Sequence, residues 1–135
     1  MHAGSGYLLD TFLQSCSNIR DDKYGGDAAG RCTLLKEVVA RVAAEMGGAD
    51  RVGVKLSPNN GFNGMGSDDN AETFTHAAAA LHAVGVGYLH VVDGVGKQST
   101  DTWFGRVSSS GFHNAGAGLG LADLRQAFPG ALIGN

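Results

Sequence analysis

The sequence predicts an α/β protein in which parallel strands are joined by helical crossovers, a partial (β/α)8 TIM barrel. Strand and helix patterns alternate along the chain, which requires parallel strands with right-handed connections. Tyr88 to Val92 is apolar without alternation, the pattern of a strand covered on both faces. The length, 135 residues, is about half of the roughly 250 that a complete barrel needs. Residues 1–135 therefore read as a single incomplete barrel segment, with both ends falling inside the barrel.

Residues 1–32 predict a loop-rich opening with short apolar stretches, Tyr7-Leu8-Leu9 and Phe12-Leu13. Thr33 to Met46 is the clearest helix. Leu35, Val38, Val39, Val42 and Met46 fall on one face at helical spacing. Glu37 and Arg41, four residues apart, form a supporting pair, and Gly47-Gly48 ends the helix. Arg51 to Ser57 reads as a strand stopped by Pro58. A second helix is expected from Asp69, with Glu72 completing a capping box and Phe74, Ala77, Ala78, Leu81 and Val84 as its apolar stripe. Gly85 ends it, and the Tyr88 to Val92 strand follows. Residues 93–118 read as irregular, Leu121 to Phe128 as a short helix, and Ala131 to Ile133 as the start of another strand.

Composition narrows the function. Hydrophobic residues are 43% and charged residues 17% of the chain, which is globular rather than disordered. Glycine, 22 residues against a usual ~7% of a chain, points to tight turns and close backbone approaches. A net charge of −3 gives no electrostatic footprint for nucleic acid or an anionic membrane, and no apolar run is long enough to span one. Two cysteines build no disulfide framework, and their number suits a reducing, cytoplasmic compartment.

Several local patterns are set aside. Gly94 to Ser99 contains Gly-Lys, but Val91 stands where a phosphate loop needs its first glycine. Gly116 to Gly120 lacks the dinucleotide-binding spacing. Cys16 and Cys32 have no CxxC partner, His76 and His82 do not share a helix face, and no metal site is predicted. His113 sits in a loop and is uninformative, His90 reads as a core histidine, and Trp103 and Phe104 could anchor a loop or cover a ligand.

The opening segment is different. His2-Ala3-Gly4-Ser5-Gly6-Tyr7-Leu8-Leu9 puts an imidazole, a hydroxyl and a phenol within six residues, at what would be the C-terminal end of a barrel strand. Active sites of such barrels sit at that end. Taken alone, Tyr7 could be a packed aromatic, His2 a frayed residue and Lys55 a solvated strand-end lysine. Further on come Asn18-Ile19-Arg20-Asp21-Asp22-Lys23-Tyr24-Gly25-Gly26, Arg31, Lys55-Leu56-Ser57-Pro58, Phe62-Asn63 and Tyr88-Leu89-His90-Val91.

This succession resembles the old yellow enzyme family of FMN-dependent ene reductases, which reduce activated alkenes such as enones and nitroalkenes with NADPH. The family pattern runs His-x-Ala-(Asn or His)-Gly-Tyr-Leu, Asn-x-Arg-x-Asp-x-Tyr-Gly-Gly, Arg-(Leu or Val)-Ser-Pro, Phe-Asn and Tyr-Leu-His-Val. The chain is then similar to strands 4 to 7 of the family's barrel with their helices. The resemblance implies that His2 donates to the substrate's carbonyl or nitro oxygen, with Ser5 in the place of its Asn or His partner. It implies that Tyr7 protonates the substrate carbon after hydride arrives from the flavin. Lys55 stands where the family has an arginine beside the flavin, and Phe62 and Asn63 match a loop pair near the substrate. Asn18, Arg20, Asp22, Tyr24 and Arg31 read as a structural loop leading into the helix.

The chain departs from the pattern in places. Ser5 is shorter than Asn or His, and Lys55 lacks arginine's planar fork. Gly4, Asp27 and Gly30 replace Ala, Ser and Asn, which predicts a looser loop. The family's other flavin contacts lie on strands outside the matched region. The 135 residues alone are therefore expected to bind FMN poorly, to show little activity, and to self-associate through uncovered barrel edges. The alternative is a truncated, non-catalytic relic or interaction module without the FMN site.

Overall fold

A computed structural model describes residues 1–59, 61–92 and 119–134, together with the backbone of 101–102 and 105–106. Four parallel strands form one sheet: β1 (His2–Ala3), β2 (Gly53–Leu56), β3 (Tyr88–Val91) and β6 (Ala131–Gly134), side by side in that order. Helices lie between them: α1 (Leu8–Leu13), α2 (Ala28–Arg31), α3 (Thr33–Met46), α4 (Asn70–Val84) and α5 (Leu121–Ala127). This is the order of a partial α/β barrel, as the alternation predicts. The stretch expected to be irregular contains a small antiparallel pair, β4 (Asp101–Thr102) with β5 (Gly105–Arg106). Trp103, Phe104, His113, the Gly94 to Ser99 segment and Gly116 to Gly118 lie outside the described residues.

Strand register sorts the side chains onto two faces. Ala3, Leu56 and Val91 align across β1, β2 and β3, as do Val54 and Leu89, and all five are buried. They share one core with Leu13, Leu35, Val39, Phe74, Leu81 and Phe128 from the helices. His2, Lys55, His90 and Ile133 align on the other face. There Tyr88 is 42% and Ile133 49% exposed. The expectation that Tyr88 to Val92 is covered on both faces is thus corrected. Its burial alternates, and apolar Ile133 is as open as Tyr88, so this face lies uncovered whatever the polarity of its side chains.

The helices follow their sequence signals with instructive exceptions. α3 spans Thr33–Met46 as predicted and ends at Gly47, whose φ of 75° suits glycine. Met46 is 50% exposed because the last turn runs past the core. The Glu37–Arg41 pair does not form. Glu37 accepts from Lys23 and Tyr24, each at 3.0 Å, and Arg41 pairs with Glu45 at 2.7 Å.

α4 begins after Asp69, but the expected capping box is absent. Asp69 instead binds Arg31 Nη2 and Ser15 Oγ, both at 2.7 Å. A guanidinium only 4% exposed needs that carboxylate more than a helix end does.

The 18–31 loop is ordered rather than loosened. Asn18 Nδ2 donates to the carbonyls of Phe12 and Tyr24 at 2.6 and 2.7 Å. Asp27 caps α2 by accepting from Gly30 N at 2.8 Å. A Cβ on Gly30 would overlap the carbonyl oxygen of Gly25, so glycine there serves a close approach. Of the two cysteines, Cys32 is buried and Cys16 exposed. His82 packs edge-on against Phe128 at 5.6 Å between centroids.

Candidate active site

The site grows out of one tight turn. β1 ends at Ala3, and the chain reverses through Gly4-Ser5-Gly6-Tyr7 before α1 begins. Ser5 and Gly6 have φ of 56° and 71°, and Tyr7 N donates to Gly4 O at 3.3 Å. Positive φ at both central residues with that bond is the signature of a type I′ turn.

Side chains hold three further backbone groups of the turn. Ser5 N donates to Ser57 Oγ at 2.5 Å. Gly6 N donates to an Asp10 carboxylate oxygen at 2.7 Å. Asn63 Nδ2 donates to Ser5 O at 2.9 Å. Gly4 leaves room for Ser57, and Gly6 for Phe62 and Asn63, since a Cβ at either position would collide with them. Gly4 therefore tightens the turn it was expected to loosen.

Tyr7, the N-cap of α1, projects from this turn and is 54% exposed. Its ring lies 5.3 Å from the His2 ring, tilted by 53°. His2 is the register partner of Lys55 on β2, which is in turn the partner of His90 on β3. These three side chains, with Gly53 and Tyr88, line an open depression of about 420 Å³. Partial burial first, then the positive charge of Lys55, then the amino terminus hold the His2 imidazole below its usual 6.5. His2 is therefore mainly neutral at pH 7, with one N–H to donate.

Of the residues singled out from the sequence, His2 lies beside Tyr7 and is the register partner of Lys55, and Asn63 binds Ser5 O, while the depression itself is lined by His2 and Lys55 and not by Ser5, Tyr7, Phe62 or Asn63. The sequence reading did not single out Asp10 or Ser57. An acid three residues after Tyr7, at the start of a helix, was the available signal for Asp10. Nothing marks Ser57 apart from its place after the strand.

Two predictions follow from this geometry. Ser5→Asn would put Asn-Gly, the preferred type I′ pair, at the turn's centre. It should raise unfolding stability by about 0.5–1 kcal/mol, read as a higher urea midpoint. An unchanged midpoint would show that Ser5 bears no backbone strain. Lys55→Met removes one of the charges that depress His2. The His2 midpoint, followed by imidazole NMR, should then rise toward 6.5 without reaching it, because burial remains. In the unchanged protein, the stability linked to His2 is present above 6.5 and lost as pH falls through its folded-state value.

A phenol and an ammonium thus flank one imidazole near the strand ends of a parallel sheet. The model of the NADH:flavin oxidoreductase / NADH oxidase family matches residues 1–112, and the chain belongs to that family. Chanoclavine-I aldehyde reductase fgaOx3 of Penicillium roqueforti (strain FM164) is 32% identical over 148 residues, 99% of this chain and 40% of its own. The probable inactive dehydrogenase easA of Claviceps fusiformis is 40% identical over 94 residues, 69% of this chain and 24% of its own. The old yellow enzyme homologue from Zymomonas mobilis superposes with a TM-score of 0.77 at 31% identity, covering 99% of this chain and 34% of that one. The old yellow enzyme resemblance and the partial barrel are thereby shown. The chain spans 24% to 40% of the length of these curated relatives. Among the described residues no helix is long and apolar enough to cross a membrane.

Proposed function

We propose that the chain supplies the substrate-oxygen donors, the proton donor and one flavin-facing cation of an FMN-dependent ene reductase acting on enones or nitroalkenes. The observation that carries this reading is the Tyr7 ring held 5.3 Å from the His2 ring on a turn clamped by Ser57, Asp10 and Asn63. One residue, Lys55, supports a place for the cofactor's edge in this reading. Lys55 puts an ammonium on the open face beside His2, suited to the edge of a flavin that becomes anionic on reduction.

When bound, FMN would pass hydride from a nicotinamide nucleotide to the alkene. The protein's own residues do the rest. The His2 N–H donates to the substrate's carbonyl or nitro oxygen and polarises the alkene. The hydroxyl of Ser5 is the second donor in this reading. Each such donor is worth ~10² to 10³ in rate. The Tyr7 hydroxyl gives its proton to the carbon alpha to the activating group. Lys55 offsets the negative charge of the reduced ring. NADPH is the proposed reductant on the sequence resemblance, while the family description names NADH.

The test is anaerobic. Flavin-loaded protein is reduced with NADPH or NADH and then mixed with an enone. Enone-dependent reoxidation supports the proposal, and reduction followed by no reaction with enones or nitroalkenes overturns it. Ser5 and Lys55, which replace residues of the family motif, favour a second reading as a non-catalytic relic. That reading predicts no enone-dependent reoxidation even in a longer protein that contains these residues and holds FMN.

A further inference from the structure

Asp10 is a buried group that this chemistry leaves unused. Its side chain is wholly enclosed, at 0% exposure, and makes two bonds. One oxygen accepts from Gly6 N at 2.7 Å, the other from Gln14 Nε2 at 3.2 Å. An acid at the third position of a helix ordinarily reaches back to the N-cap N–H. Here the N-cap is Tyr7, and its N–H is already taken by Gly4 O in the turn. Asp10 reaches one residue further and grips the turn itself.

Gln14 is also fully buried and carries the grip onward. Its Oε1 accepts from Gly66 N at 2.8 Å and from Asn70 Nδ2 at 3.3 Å. Asp10 and Gln14 thus connect the turn before Tyr7 to the segment that follows Phe62 and Asn63. Enclosing a carboxylate without a cation costs stability unless its bonds are good. Burial accordingly raises the Asp10 carboxyl above its usual range, and the bonds from Gly6 and Gln14 pull it back.

We propose that Asp10 is a positioning residue for Tyr7, its carboxylate fixing the Gly6 amide and with it the angle at which the phenol leaves the turn. The proposal rests on the reading of Tyr7 as the proton donor, but its geometric part is tested without flavin. Two signals would be followed by NMR in the full chain: hydrogen exchange at Gly6 N, and the cross-relaxation between the His2 and Tyr7 rings.

In Asp10→Ala, Gly6 exchange should rise at least ~10-fold and the ring-to-ring signal should vanish. Amides of α3 and α4 should keep their protection. In Asp10→Asn, which keeps an oxygen but loses the charge, exchange should rise about 3–10-fold. Unchanged Gly6 exchange and an intact ring signal in folded Asp10→Ala overturn the proposal. If that variant does not fold, unchanged exchange in Asp10→Asn overturns it. A Tyr7→Phe enzyme that still protonates its product would sink the donor reading while leaving the Asp10 to Gly6 bond standing, so the two failures are distinguishable.

Discussion

Replacing Tyr7 by Phe should slow reduction of the alkene by ~10² to 10⁴ while leaving flavin reduction by the nicotinamide nucleotide within about twofold. Phe keeps the ring, and with it the packing 5.3 Å from His2, so the turn and α1 are undisturbed. Only the hydroxyl is lost. A positioned phenol O–H is a proton donor that can serve as a general acid. Stopped-flow measurement of the two half-reactions under anaerobic conditions separates the steps. Equal slowing of both would mean that Tyr7 shapes the flavin environment rather than delivering a proton. Unchanged kinetics in both would move the proton source elsewhere.

Arg31→Met should destabilise the fold by about 3–5 kcal/mol. The guanidinium is 4% exposed and donates to four oxygens. These are Leu13 O at 2.8 Å, Gly26 O, the Asp69 carboxylate at 2.7 Å and Thr73 Oγ1 at 2.6 Å. They come from α1, the loop before α2, and the start of α4. Methionine fills the space of the stem but leaves the Leu13 carbonyl and Thr73 Oγ1 without their buried bonds to the guanidinium. Asp69 is about one-third exposed, so water recovers part of its loss and the cost lies at the lower end of the range. Urea unfolding of the two proteins measures it. A change under ~1 kcal/mol would show that the cluster is replaceable by simple packing. Asp69→Asn, which keeps an oxygen facing the arginine, should cost less.

These two residues show what the sequence made legible. Arg31 was assigned a structural role from its place in a serial motif, and its burial supports that. Tyr7 and His2 were paired by motif, and the structure brings their rings together. α3 was readable to the residue because its apolar period and terminal glycine agree. The Asp69 capping box was not, because a distant arginine competes for the same carboxylate, and a local pattern carries no information about a partner 38 residues away. The open sheet face was missed for a related reason. A local apolar run marks a strand but carries no information about whether another element packs over it, and Ile133 is as open there as Tyr88. Gly4 and Gly30 were read as sources of slack because composition shows a missing side chain but not the neighbour that fills its place.

The clamps on the turn have a bearing on the order of folding. Its three side-chain partners lie 4, 52 and 58 residues away in sequence. Only the first is local. The other two arrive when β2 docks beside β1 and the 62–64 segment closes over Gly6. Helices α3 and α4, built from bonds four residues apart, need no such loop closure and can form early. The proposed acid is therefore among the last groups to gain its full set of contacts, and a chain interrupted before residue 57 would hold the turn by Asp10 alone.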